Sequence, residues 1–154
     1  MRSFLPLLSR LRFFHGAEKS LLANSIDGKP GEQGEYLAAK FLAKKRFVIE
    51  ARNVLTPFGE IDIVARRKKR VYFVEVKSLS GKAEEDPRIN LTPEKLSHFF
   101  RSGLFYARKY DLSCSFSFAA VIVILKPQTI HWYDNLTLDC DAENIIKFGR
   151  KNRL

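Results

Sequence analysis

The stretch GEIDIVARRKKRVYFVEVK, residues 59–77, decides how this 154-residue chain folds and where its chemistry lies. Glu60 to Arg66 reads as one strand, Arg67-Lys68-Lys69 as a short, very basic connection, and Val71 to Ser78 as the strand that returns. In an extended chain, residues two apart point to the same side. Glu60 and Asp62 should therefore share one side of their strand, opposite Ile61 and Ile63. Glu75 and Lys77 should share a side of theirs, opposite Val74 and Val76. If the two strands are hairpin neighbours in suitable register, an acid from each converges with the lysine.

Such a cluster has a chemical reason to exist. Two carboxylates a few ångströms apart repel unless a proton or a cation lies between them. Hard oxygen ligands select Mg²⁺ or Mn²⁺, which keep positions open for water and a phosphate oxygen. A lysine beside them can orient an attacking water or stabilise charge building on a phosphate. The plainer alternative is a solvated sheet face with cross-strand ion pairs, and for Glu-x-Lys alone it is the better one. Two features favour the metal site. Glu75 and Lys77 are flanked by Tyr72, Phe73, Val74 and Val76, a composition suited to a central strand where unpaired charge is costly. A second strand of buried type carries acids a hairpin's length earlier.

Toward the N-terminus, Tyr36, Leu37, Ala39, Phe41 and Leu42 form one face of a helix. Glu32 and Glu35 at its start and Lys44, Lys45 and Arg46 at its end suit the helix dipole. Phe47 to Asn53 alternates as a strand, and Thr56-Pro57-Phe58-Gly59 turns the chain into Glu60. Beyond residue 78, Gly81 to Asn90 is charged and irregular, a surface loop. Thr92-Pro93-Glu94 is a helix start, with Thr92 as N-cap, and the helix runs to about Tyr110. Its core-facing residues are expected to be Leu96, Phe99, Phe100, Gly103, Leu104 and Ala107. Ser115 to Leu125 is apolar at nearly every position, as in a strand buried on both faces. Pro127 breaks it, Thr129 to Tyr133 gives another strand, and Asp141 to Phe148 suggests a last short helix. The order predicts an α/β sandwich: a mixed sheet flanked by helices, with a meander of early strands and a crossover helix returning to a buried strand.

Residues 31–140 thus form one domain, preceded by a tail and linker at 1–30 and followed by a short helix and basic tail at 141–154. The tail, with Arg2, Arg10 and Arg12 and no acid before Glu18, reads as a poorly ordered segment or short helix, with an amphipathic targeting peptide as the alternative. No apolar run approaches the roughly 20 residues that span a bilayer, so no membrane partner is expected. Cys114 and Cys140 lie far apart without a CxxC or a nearby His pair, which argues against zinc and fits a reducing, cytoplasmic setting. The net charge of +10 favours a polyanionic partner, nucleic acid above all.

Gly34-Glu35-Tyr36-Leu37-Ala38, Arg52-Asn53, Gly59-Glu60-Ile61-Asp62, Phe73-Val74-Glu75-Val76-Lys77 and Leu91-Thr92-Pro93-Glu94-Lys95, in that order, resemble the YraN-like family. Its members are uncharacterised bacterial proteins regarded as predicted endonucleases, similar to archaeal Holliday-junction resolvases. The resemblance covers about residues 31 to 132. It implies a restriction-endonuclease-like fold with an αβββαβ core and a PD-(D/E)XK site. By that similarity Asp62 and Glu75 would hold the metal, Lys77 would be the catalytic lysine, and Glu35 an auxiliary acid. The sequence departs from the family pattern at Ser78-Leu79, where Thr-Arg is usual, and at Phe118-Ala119, where Phe-Asp is usual. It departs again in the basic turn Arg67-Lys68-Lys69 and in the N-terminal extension.

Other residues carry weaker signals. Glu60 could assist the metal, but it follows a turn and is better explained by capping or by pairing with a nearby arginine. Lys95, in the first turn of its helix, could touch a substrate phosphate, although a solvated lysine is more common. Arg67, Lys68 and Lys69 are ordinarily a solvated turn, but beside a metal site they would form a phosphate clamp. His15, His98 and His131 lack metal-ligand spacing, and Trp132 and Tyr133 read as core and rim. The expected activity is a Mg²⁺- or Mn²⁺-dependent endonuclease acting on DNA, branched or damaged DNA included. Cleavage of both strands of a symmetric substrate would suggest a homodimer. The alternatives are a non-catalytic nucleic-acid-binding module and, more remotely, an envelope-associated adaptor using the N-terminal segment.

Overall fold

The computed structural model describes residues 29–80, 91–112, 115–138 and 146–147. Helix α1 (Pro30–Lys44) leads into β1 (Val48–Thr56), β2 (Gly59–Arg67) and β3 (Arg70–Leu79). Helix α2 (Pro93–Lys109) follows, then β4 (Phe116–Leu125) and β5 (Gln128–Tyr133). The five strands form one sheet in the order β1-β2-β3-β4-β5. All neighbours are antiparallel except β3 and β4, which are parallel and joined through α2. The fold is α/β, with a mixed sheet between two helices in the order αβββαββ, and it fits the restriction-endonuclease-like core.

Each helix covers one face. Ala38, Ala39 and Leu42 of α1 pack with Ile63, Ala65, Val74, Ala119, Val121 and Trp132. Leu96, Phe99 and Ala107 of α2 pack with Ile61, Val64, Phe73, Ala120 and Ile122. Strand β4 supplies both cores, which is why Phe116–Leu125 is apolar with hardly a break. Gly103 lets α2 approach β4 closely: a Cβ there would stand 2.4 Å from the Phe118 ring.

The ends of the helices follow local rules. Thr92 caps α2, its side chain accepting from the Lys95 N–H at 3.4 Å. Both helices end in a left-handed residue, Arg46 (φ 64°) and Asp111 (φ 46°). The following N–H groups of Phe47 and Leu112 return to the Leu42 and Ala107 carbonyls, satisfying oxygens that the helix leaves open.

Several expectations change. Leu104 is 45% exposed, and the buried position beside it belongs to Ser102, whose hydroxyl is satisfied by Thr56 Oγ1 at 2.8 Å. A helix can bury a serine cheaply when it has such a partner, so hydrophobic periodicity alone picked the wrong neighbour. Tyr133 is buried like Trp132 and does not sit at the rim. Ile146–Lys147, expected within a helix, form a two-residue strand, β7, paired with β6 (Thr137–Leu138). The cross-strand ladder supplies their backbone partners there. The N-terminal tail, the loop at 81–90, His15, Cys114 and Cys140 lie outside the described residues. Among the described residues no helix is long and apolar enough to cross a membrane.

Candidate functional site

Strands β2 and β3 pair in a register that runs from Arg67↔Arg70 to Ile63↔Val74. Continued by one residue, that register would set Asp62 opposite Glu75, and the charge of Asp62 does act on Glu75. At that point the backbone ladder gives way to a side chain: Val76 N–H donates to Asp62 Oδ2 at 2.6 Å. The neighbouring strand is distorted at the same level. Asn53 of β1, next to the Arg52↔Ile63 pair, has a left-handed φ of 50°. Alternation along β2 slips here, so Ile61 joins the α2-side core and Ile63 the α1-side core. The expectation that Ile61 and Ile63 share a face is thereby corrected; a left-handed residue in a paired strand adds local twist.

Glu75 and Lys77 do share a face, that of Val71 and Phe73 and of helix α2. Their register partners on β4 are Ala120 and Ile122, both buried and apolar. This floor explains the electrostatics. Burial pushes the Glu75 carboxyl well above the usual carboxylate range, and the nearby Asp62 adds to the rise, with Lys95 and Lys77 opposing it and Glu60 adding a little. Asp62 is also raised, first by burial, with the Val76 N–H opposing and the charges of Glu35 and Glu60 adding. Arg52 offsets part of the rise at Asp62. Asp62 and Glu75 thus feel each other, and Lys77 and Lys95 both act on Glu75.

Glu35 reaches the same neighbourhood from α1. It lies in the second turn of a helix that begins at Pro30, too deep for the helix-dipole reading of its charge. Its Oε2 instead accepts from Arg52 Nη2 and from Asn53 Nδ2, both at 3.1 Å. Consecutive strand residues normally point to opposite faces, and the left-handed Asn53 accompanies their joint aim at Glu35. Arg52 Nε is buried without a hydrogen-bond partner among the described residues. Arg52 and Asn53 enter the sequence pattern only as part of the family motif, without a role of their own. An Arg-Asn pair in a strand carries no signal of its own until the acid it holds is placed.

The remaining residues divide. Lys95, at the start of α2, stands by Glu75, and Glu60 is exposed but close enough to raise both acids. Arg67, Lys68 and Lys69 are elsewhere: they form the turn at the far end of the β2–β3 hairpin, five residues along β2 from Asp62. At about 3.4 Å per residue that is roughly 17 Å, so the turn is not beside the carboxylates. A hairpin necessarily separates its turn from its open end. His98 Nδ1 lies 3.0 Å from the Phe58 carbonyl, a structural contact.

The donor set suits a hard divalent cation. Among the described residues no three acid, histidine or cysteine side chains gather as a metal-holding group, which leaves the facing pair Asp62 and Glu75. Mg²⁺ is commonly held by one or two carboxylates, with water and phosphate oxygens completing its shell. A divalent charge would also relieve the cost of keeping both acids ionised close together and out of water.

Comparison with known proteins shows the same stretch shared widely. Residues 34–123, from α1 into β4, match the model of "Uncharacterised protein family UPF0102". A UPF0102 protein of Sulfurovum sp. (strain NBC37-1) is 37% identical over 109 residues, 70% of this chain and 93% of the relative. One from Wolinella succinogenes is 36% identical over 108 residues, covering 70% and 95%. One from Thermotoga petrophila is 47% identical over 75 residues, covering 49% and 68%. The matched span holds every candidate residue from Glu35 to Lys95, and the chain belongs to the uncharacterised protein family UPF0102, the YraN-like family.

Proposed function

We propose that this protein is a Mg²⁺- or Mn²⁺-dependent endonuclease that hydrolyses phosphodiester bonds in DNA. The observation that supports this reading most is the facing of Asp62 and Glu75 across β2 and β3, two mutually repelling acids with Lys77 on the same strand as Glu75. Asp62 and Glu75 would hold the ion, and Glu35, fixed by Arg52 and Asn53, would stand behind Asp62 as an auxiliary acid. When bound, the ion supplies Lewis acidity toward a phosphoryl oxygen and makes a water more acidic. Lys77 orients that water or stabilises the charge growing on the phosphate. Ala120 and Ile122 keep the floor dry, which strengthens each of these interactions. Lys95, whose charge acts on Glu75, would meet a phosphate oxygen of the substrate there. The Val76 N–H holds Asp62 in position.

A second reading, a nucleic-acid-binding module without turnover, draws on the same two-carboxylate count, since two protein ligands alone bind a cation weakly. One experiment separates them. Linear, nicked, flap and four-way DNA are incubated with wild type and with Lys77→Ala in Mg²⁺ and in Mn²⁺. Cleavage by wild type that Lys77→Ala loses, with DNA binding kept, supports the nuclease. Equal cleavage by both proteins ends this mechanism, and salt-sensitive binding without cleavage favours the module.

A further inference from the structure

The basic turn at the other end of the hairpin has a structure of its own. Arg67, Lys68, Lys69 and Arg70, with Tyr72 and Ser115, line an open cleft of about 410 Å³. Two of its four cations are held in place. The Arg67 guanidinium carbon lies 5.2 Å from the centre of the Phe47 ring, a cation–π contact that tethers it to the approach to β1. Arg70 donates to Ser115 Oγ at 3.4 Å and to Ser117 Oγ at 3.5 Å. Ser117 in turn donates to Asn135 Oδ1 at 3.1 Å, and Arg70 also bonds the Tyr72 side chain. Ser117 is buried, so this chain of contacts anchors Arg70 to the sheet.

The turn itself is unusual for its residue type. Lys68 has φ 56°, a conformation that favours glycine or asparagine, yet a lysine stands there. Lys68 and Lys69 have no ion-pair partner among the described residues. Asp134 lies near Tyr72 and sets one negative charge against four positive ones.

We infer that this cleft is a phosphate-binding site, separate from the carboxylate pair and independent of the nuclease reading. Oriented guanidinium groups match the oxygens of a phosphate in pairs, and the two lysines add charge without fixed geometry. Its place some 17 Å from Asp62 along β2 means that it does not grip the phosphate lying over the carboxylates. It takes a phosphate group as a separate foothold. The group can come from the free anion or from a nucleic-acid backbone.

The test titrates inorganic phosphate into the full chain and follows backbone amide shifts by NMR. Shifts centred on Arg67 to Tyr72 and on Ser115 are expected, with the affinity about tenfold or more weaker in Arg67→Ala/Arg70→Ala. A control, Lys44→Ala/Arg108→Ala, removes the same charge from exposed positions elsewhere and should keep the wild-type affinity. Arg70→Lys, which keeps the charge and loses the fork, should fall between, and it guards against a folding defect in the double variant. A second arm uses a short single-stranded oligonucleotide. Weaker binding of both ligands by the double variant identifies the polymer backbone as a source, and weaker binding of phosphate alone identifies the free anion. Shifts located elsewhere, or equal affinities in the double variant and its control for both ligands, would overturn the site.

Discussion

The β2–β3 hairpin carries opposite charges at its two ends and treats them differently. At the open end Asp62 and Glu75 lie close together, half-buried, with the buried Ala120 beside Glu75 on β4. At the turn Lys68, Lys69 and Arg70 are exposed, and only Arg67 is half-buried, against Phe47. An exposed lysine keeps its hydration, so its presence costs the fold little. A carboxylate over an apolar floor loses hydration, and a second carboxylate adds repulsion. Charge at the turn therefore says little about why it is there unless its geometry is fixed. Charge at the open end is costly by position alone, and that cost marks it as the place where chemistry is expected.

The two ends should differ most in activity. Lys77→Ala and Asp62→Ala are each expected to lower DNA cleavage at saturating DNA by about a hundredfold or more, while Lys69→Ala, far from the carboxylates, leaves that saturated rate near wild type. Rates for the three variants measured on one substrate would show it, and an equal loss at Lys69 would erase the distinction between the ends.

Stability gives the next two contrasts. Gly34 of α1 lies against β3 at the acidic end, where an added Cβ would stand 2.4 Å from the Ser78 Cβ. Gly34→Ala should lower stability by about 1–3 kcal/mol in denaturant unfolding, because the helix must move off the strand. Glu75→Gln should act in the other direction without metal. A carboxyl whose folded pKa is raised favours folding while protonated and loses that contribution as pH rises through the folded value. Metal-free wild type should therefore weaken as pH climbs from the ordinary carboxylate range through that raised value. Glu75→Gln should flatten the profile and be more stable by on the order of 1 kcal/mol above it. Unfolding midpoints across pH for the two proteins check this, and parallel profiles would show that Glu75 is not the group responsible. The smallest effect belongs to the turn: Lys69→Ala should change stability by less than about 0.5 kcal/mol in the same assay.

Much of this fold was legible in the sequence because its elements are amphipathic in simple ways. The Thr92 cap, the nearly all-apolar β4 and the Thr56–Gly59 turn each announce themselves locally. Asp62, Glu75 and Lys77 were legible for a different reason: charges among Tyr72, Phe73, Val74 and Val76 conflict with their surroundings. What was not legible depends on three-dimensional offsets. The left-handed Asn53 is invisible in a residue string, yet it accompanies the slip between Ile61 and Ile63 and the joint aim of Arg52 and Asn53 at Glu35. Ser102 in the core depends on a hydroxyl 46 positions away, and the separation of the basic turn from the acids depends on hairpin length.

If Asp62 and Glu75 form one cation site, calorimetric titration of Mn²⁺ at a pH above the raised carboxyl range will read out both acids at once. Saturable binding to wild type that weakens about tenfold or more in Glu75→Gln, in Asp62→Asn and in neither Lys68→Ala nor Lys69→Ala is the expected result. Isotherms that coincide for wild type and both carboxylate variants would contradict it.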